Sequence, residues 1–520
     1  MTAGEPAGVA FPVSADGRRS TSALGQAVVA DALQQVDPAG ARSAERQANW
    51  RSGYLGHFRR LVEAGLASRQ AAVSVARDGL ASLHRRMCVA GDGGEDEAGL
   101  DALISAPAGE PLTTVTVPGA GTAQTELSVP YQGERLAGDA LLRRLEAWVS
   151  GGVIEPSCAE AIRMVAAHPD WLALPGRTVV ALGAGAEVGP LPVLLGWGAR
   201  VIGVDLPRPD IWTRVLEVAR RSAGTLLVPV AARRAAGQEL AGPPGEDLAG
   251  PPGEDRAGPP GEDLAGHAGL NLIADVPAVA DWLAAVDGPL VLGNYVYADG
   301  GDNVRLASAV DALTVRLLAA RGDVALAFLA TPTDVFAVPG DAVAQSARAY
   351  ADRSPAAKLG AWPLHALSGG RLLHPAYRPG ADPGICDSQV PQQGPNYVLA
   401  KRVQRWRATV ARDGGAAVSM NVAPPTRTRS VLKNRVLAAA YAGAPRFGVE
   451  VFEPATTKTL MAALLVHDLH TGGGPAQAHP WEDEAHAAAH GGLWRIAYTP
   501  RSALGLAVML GYRATRNGAS

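Results

Sequence analysis

Tyr397 and Lys401 lie four residues apart, one helical turn, so a phenol and an ammonium project from the same face of one helix. A phenol gives up its proton near pH ~10 and a neighbouring cation favours the phenolate, so such a pair can trade a proton with an alcohol or carbonyl oxygen. A second constellation lies upstream. Gly183, Gly185 and Gly189 follow the apolar run Thr178–Leu182, and Asp205 closes the next apolar run, where a carboxylate can take the two hydroxyls of a ribose. Glu187 sits inside the glycine turn. A carboxylate aimed at a pyrophosphate is repelled, whereas one aimed at the sulfonium and amine of S-adenosylmethionine is not. On this stretch alone a dinucleotide and S-adenosylmethionine both stay open, beside a plain strand-to-helix connection.

The elements that must position these groups read as strand alternating with helix. The stretch TVVALGAGAEVGPLPVLLGWGARVIGVD is an opening βαβ unit, its first strand apolar enough to be buried on both faces. TLLVPV, PLVLGNYVYA, VALAFLA and AAVSMNV continue as strands, separated by helical patterns. The expected fold class is therefore α/β: a doubly wound, mostly parallel sheet with a helical N-terminal cap and a long lid-like insertion. Residues 1–40 read as a disordered leader, 41–176 as the cap and 177–520 as the sheet domain. Within that domain, 235–267 holds three copies of AGPPGED(L/R), read as a disordered insertion, and 339–391 is the expected lid.

Composition narrows the function. A net charge of −3, from 47 basic and 50 acidic residues, carries no bias towards nucleic acid or anionic membrane, so a small-molecule substrate is the expected partner; a homo-oligomer stays open. Cys88, Cys158 and Cys386 are too scattered for a disulfide framework or a cysteine metal site. With no signal-peptide pattern and no span-length apolar stretch, a cytoplasmic location is expected. His467, His470, Glu482, Asp483, His486 and His490 gather near the C-terminus, but such spacings arise easily in alanine-rich helices and no metal is assigned to them.

The Tyr397 helix leads into a strand followed by MNVAPPTRT. In this the chain resembles the short-chain dehydrogenase/reductase family, where a Tyr-x-x-x-Lys helix precedes a strand reading roughly V-N-x-V-x-P-G and then a Thr; Asn421, Pro424 and Thr428 fall close to that register. Asn303, in the helix before the fifth strand, and Thr331, just after that strand, match the family's Asn and Ser/Thr. GNYVYADG falls near the family's N-N-A-G, which makes Asn294 a cofactor neighbour. GAGAEVG is similar to its G-x-x-x-G-x-G, with Glu187 at the middle glycine. The resemblance covers roughly residues 178–467. It implies a Rossmann-type fold and hydride transfer between a nicotinamide and a carbonyl or alcohol carbon. Tyr397 would be the acid/base, Lys401 would lower its pKa and hold the ribose, Thr331 would orient the substrate oxygen and Asn303 would order a relay water. The cofactor-binding set would be Gly183, Gly185, Glu187, Gly189, Asp205, Asn294, Pro424 and Thr428. Asp205 favours NAD over NADP, since a carboxylate repels a 2′-phosphate, and Arg208 nearby weakens that preference. Pro425 replaces a family glycine, and the stretch between Thr331 and Tyr397 is longer than the family's. The alternatives are an S-adenosylmethionine-dependent class I methyltransferase and an inactive nucleotide-binding scaffold.

Overall fold

The computed structural model describes residues 8–14, 17–91, 98–231, 264–474 and 477–517. Among these, mostly apolar runs become the strands of a central sheet: β1 (Leu112–Pro118), β2 (Thr178–Leu182), β3 (Arg200–Val204), β4 (Thr225–Ala231), β5 (Leu290–Asn294), β6 (Val324–Ala330) and β7 (Val418–Val422). The order across the seven-stranded sheet is β7-β6-β5-β2-β3-β4-β1. Strands β2 to β7 pair in parallel; β1 closes the edge antiparallel to β4. The chain builds outward from β2 to β4, then returns to lay β5 on the other side of β2. In open α/β sheets, ligands enter beyond the carboxyl ends of the strands at such a reversal.

Alternation along each strand sends neighbouring side chains to opposite faces, and both faces are covered. Val180, Leu182, Ile202, Leu292 and Phe328 share one core with the helices Gly300–Ala320 and Gly394–Asp413. Val179, Ala181, Val201, Val291 and Ala327 share the other with the helices Gly138–Ser150, Pro156–Ala167 and Pro454–His470.

The N-terminal third is thus split between the two faces, not gathered into one cap. Helices Trp50–Gly65 and Arg69–Arg86 pack outside the helices that carry Asn303 and Tyr397. A buried ionic cluster ties that layer down: Asp311 takes His84 Nε2 at 2.7 Å and Arg407 Nε at 2.7 Å. Trp406 lies so close to Gly79 that a Cβ there would sit 2.4 Å from its ring.

The expected leader is in part structured. Helix Thr21–Leu33, capped by the Ser20 side chain, buries Leu24, Val28, Val29 and Leu33 in the first core. It is apolar on nearly all sides, so it lacks the one-sided pattern that marks a surface helix. Most of the repeat insertion 235–267 lies outside the described residues; Leu264–His267 form a helical turn. The expected lid, 339–391, is anchored. Its strand Gly384–Asp387 pairs antiparallel with Val335–Val338, and Tyr377 donates to the Trp494 carbonyl at 2.6 Å. No described helix is long and apolar enough to cross a membrane.

Candidate functional site

The helix Gly394–Asp413 runs back from the carboxyl edge of the sheet, so Tyr397 in its first turns stands near the strand ends. Thr331 is the residue after β6 and reaches the same place. Burial pushes the Tyr397 phenol up to about 12; the Thr331 hydroxyl works against this, and the Asp334 carboxylate adds to it. Asp334 is itself fully buried and held by Arg402 at 2.8 Å and Arg405 at 2.6 Å. Thr331 Oγ1 also meets Thr333 Oγ1 at 2.9 Å.

Lys401 occupies the predicted helix face but makes no hydrogen bond to the phenol, whose acid/base role the resemblance had it support. Its ammonium donates along the helix to Gln404 Oε1 at 3.0 Å, its only hydrogen-bond acceptor among the described residues. Burial pulls it down to about 8. Gln404 in turn donates to Asn294 Oδ1 at 3.0 Å, which places Asn294, at the end of β5, in one chain with Lys401. Gln404 lies three residues beyond Lys401, a spacing that puts both on one helix face and could have identified it. Asn303 is buried and accepts from the Ala298 amide at 3.1 Å, bracing the loop after β5. In that loop Tyr297 meets Tyr397 edge to face, with ring centroids 6.2 Å apart.

The glycine turn contacts the same loop: Gly183 has φ +87°, and a Cβ there would lie 2.9 Å from the Tyr295 carbonyl. Most of the turn's amides are already used. Gly183 and Ala184 donate to the Val204 carbonyl, Ala186 to Gly183 and Gly189 to Ala186. Gly185 donates to Asp205 Oδ2 at 2.8 Å, and Leu206 to Asp205 Oδ1 at 2.8 Å. Asp205 thus staples the turn, with burial raising its carboxyl above the usual range. The helix that follows, Leu191–Gly196, is one and a half turns long, and Pro190 and Pro192 at its start bring no N–H. This helix start therefore offers few free amides to an anionic ligand.

Glu187, inside the glycine turn, is engaged by a segment distant in sequence. Its Oε2 accepts from the Arg429 amide at 2.8 Å, at the start of helix Arg429–Lys433, with Arg429 Nε at 3.5 Å. This contact brings the segment of Pro424 and Thr428 against the glycine turn. Thr428 caps the same helix through Val431 N, and the buried Pro424 gives its carbonyl to Thr426 Oγ1 at 2.8 Å. Comparison with family models, with curated proteins and with solved structures finds no match to this chain.

The C-terminal histidines are dispersed. His490 pairs with Glu155 at 2.8 Å, His467 with Asp468 at 3.1 Å, and His470 stacks on Trp171 with centroids 4.5 Å apart. Glu482 completes a capping box with His479, and Asp483 faces Arg412. Among the described residues no group of three or more His, Cys, Asp or Glu is placed to hold a metal ion.

Proposed function

We propose that the protein is a nicotinamide-dependent oxidoreductase of Rossmann type that reduces a carbonyl compound, with Tyr397 as the proton donor. The observation that carries this reading is that Thr331, directly after β6, and Tyr397, in the first turn of the helix Gly394–Asp413, both stand at the carboxyl edge of the sheet, whose six parallel strands follow an order found in dinucleotide folds. Two hydroxyls on separate elements can hold one carbonyl oxygen between them. A phenol held near 12 is neutral at physiological pH, the form needed to protonate a developing alkoxide.

The residues present fit the ribose-bearing end of such a nucleotide. Lys401 has three N–H donors and, among the described residues, one acceptor, which leaves capacity for sugar hydroxyls. Asn294 stands beside it through Gln404. Asp205 uses each carboxylate oxygen once and retains lone pairs for a ribose. When bound, the nicotinamide supplies the hydride. Tyr397 then gives its proton to the substrate oxygen, Thr331 fixes that oxygen's position, and Asn303 keeps the loop after β5 in place.

A second reading is favoured by the glycine turn. Its amides are largely consumed internally and a carboxylate stands within it, an arrangement poorly suited to a pyrophosphate and better suited to the cationic S-adenosylmethionine of a methyltransferase. Calorimetric titration of one sample with NADH, NADPH and S-adenosylmethionine separates the two. Binding of S-adenosylmethionine with no dinucleotide signal would replace the first reading by the second.

A further inference from the structure

A cleft of about 670 Å³, including its open mouth, lies where helices Arg435–Gly443 and Pro500–Asn517 meet the segments that follow β6 and β7, within the size range of small-molecule sites. Its walls are apolar, with Leu437, Phe447, Val449 and Leu493 among them. The two helices cross backbone against backbone. A Cβ on Gly443 would sit 1.9 Å from the Ala507 carbonyl oxygen, and one on Gly511 1.8 Å from that of Ala439. Such a crossing has no slack, so this wall is rigid before any ligand arrives.

The polar groups of the lining divide into closed and open ones. Gln389 gives the cleft no polar atom, since its carboxamide is wholly shielded. Ser388 Oγ is spent on the Pro332 and Asp334 carbonyls, and Thr333 Oγ1 meets Thr331 Oγ1 at 2.9 Å. Tyr441 and Arg501 are open. The half-buried Tyr441 hydroxyl forms no hydrogen bond among the described residues, and burial, with the Tyr397 phenol adding to it, pushes the group up and keeps it a donor at neutral pH. Arg501 spends Nη1 on Asp387 Oδ2 at 2.7 Å, which leaves Nε and Nη2, one edge of its guanidinium, without an acceptor among the described residues.

Arg501 is also the single charged residue among those that line the cleft. Its partner Asp387 stays outside the lining with 5% of its side chain exposed, against 37% for Arg501, so the pair turns its cationic side to the cleft and to solvent. Pro500, Arg501, Ala503 and Leu504 belong to the start of helix Pro500–Asn517, whose positive end adds to that field. Both open groups are donors, and the complement of two donors and a positive charge is an anionic head group that only accepts.

We propose that this cleft binds an apolar monocarboxylate, its hydrocarbon body against the apolar walls and its carboxylate accepting from the Nε–Nη2 edge of Arg501 and from the Tyr441 hydroxyl. Two parallel N–H donors on one guanidinium edge match the two oxygens of a carboxylate. An alkylammonium is disfavoured, because it brings donors to donors and a positive charge to Arg501. A neutral alcohol gains the same burial of its chain but no charge-assisted hydrogen bond. The inference stands on the cleft and not on the hydride-transfer reading, so its test needs no nucleotide.

The probes are octanoate, 1-octanol and octylammonium, titrated separately against the full-length protein by calorimetry at neutral pH. Octanoate should bind saturably and about tenfold or more tighter than octanol, with octylammonium weakest. Arg501→Gln should bring octanoate to the level of octanol and leave octanol unchanged. Tyr441→Phe, which keeps the ring, should weaken octanoate by several-fold, and it decides the matter should Arg501→Gln fail to fold for want of a partner to Asp387. Leu437→Trp, which narrows the cleft, should weaken octanoate and octanol together. No saturable binding of octanoate, octanoate no tighter than octanol, an undiminished preference for octanoate in either polar variant, or octanoate binding untouched by Leu437→Trp would overturn the proposal.

Discussion

The Lys401 ammonium donates to Gln404 Oε1 at 3.0 Å and not to the Tyr397 phenol, although Lys401 stands one turn along the same helix. With burial holding the phenol up to about 12, it stays protonated through the range near pH 10 where an ordinary tyrosine ionises. The proposed carbonyl reduction should therefore show a kcat that does not fall between neutrality and pH ~10. Tyr397→Phe should lower kcat by about 10²- to 10⁴-fold while nucleotide affinity changes little. Thr331→Val should cost less than that, since it removes orientation but not the proton. Steady-state kinetics of the two variants decide this, and full activity in Tyr397→Phe would remove the residue from the mechanism.

Lys401 is a partly buried cation with a neutral partner, and its ammonium is pulled down to about 8 from the ordinary 10.5. Between those two values the unfolded chain binds more protons than the folded one, so folding stability should rise with pH across that window. Below pH ~8 the desolvation cost is present in full, of order 3 kcal/mol. Lys401→Met should consequently stabilise the protein at pH 7 by up to about that amount, measured by denaturant unfolding. The same change should weaken nucleotide binding, and in the native protein that affinity should decline as pH rises through about 8. A destabilised Lys401→Met would mean that the ammonium is held by more than Gln404.

The six parallel strands were legible because parallel strands buried on both faces read as uninterrupted apolar runs. Tyr397, Thr331 and Asn303 were legible as positions, because strand ends and first helical turns fix where those side chains begin. Their partners were not. Glu187 and Arg429 are separated by 242 residues, and nothing local to the glycine turn signals a distant backbone amide as the carboxylate's partner. Helix Thr21–Leu33 escaped because burial on nearly all sides erases amphipathic periodicity. The division of the N-terminal third between two faces was equally hidden, since pattern reports that a helix is buried but not against which side of a sheet.

The placement of Glu187 separates the two candidate ligands. Glu187→Gln keeps an acceptor for the Arg429 amide but removes the negative charge beside the turn. For a dinucleotide, losing that charge should tighten binding by several-fold; for S-adenosylmethionine it should weaken binding by a similar factor. Calorimetry on the native protein and the variant with both ligands reads the sign directly. Glu187→Ala should in addition cost about 1 kcal/mol of stability through the lost helix cap. Identical affinities in Glu187→Gln would show that the carboxylate only pins helix Arg429–Lys433.

Glu155 joins the start of helix Pro156–Ala167 to the C-terminal segment, accepting from His490 Nε2 at 2.8 Å and from Arg495 through Nε at 2.8 Å and Nη2 at 2.5 Å. Burial alone would raise its carboxyl, but the hydrogen bonds and charges of His490 and Arg495 outweigh it and hold the group down at about 2. A carboxylate depressed from 4.5 to about 2 stabilises the fold fully above pH ~5 and loses that contribution as pH falls through the window between the two values. Acid unfolding monitored by circular dichroism should therefore show stability declining by of order 3 kcal/mol across that window from this group. Removing one partner of a buried charged network strands the others, so Glu155→Ala should destabilise by about 3–5 kcal/mol at neutral pH. The same variant should lose much of its dependence on pH between 5 and 2, since the group that titrates there is gone. Because Arg495 also reaches Asp341 at 2.8 Å, part of its charge remains compensated in the variant, which favours the lower end of that range. A variant as stable as the native protein, with an unaltered acid profile, would assign the acid sensitivity to another carboxylate and leave Glu155 as a packing residue.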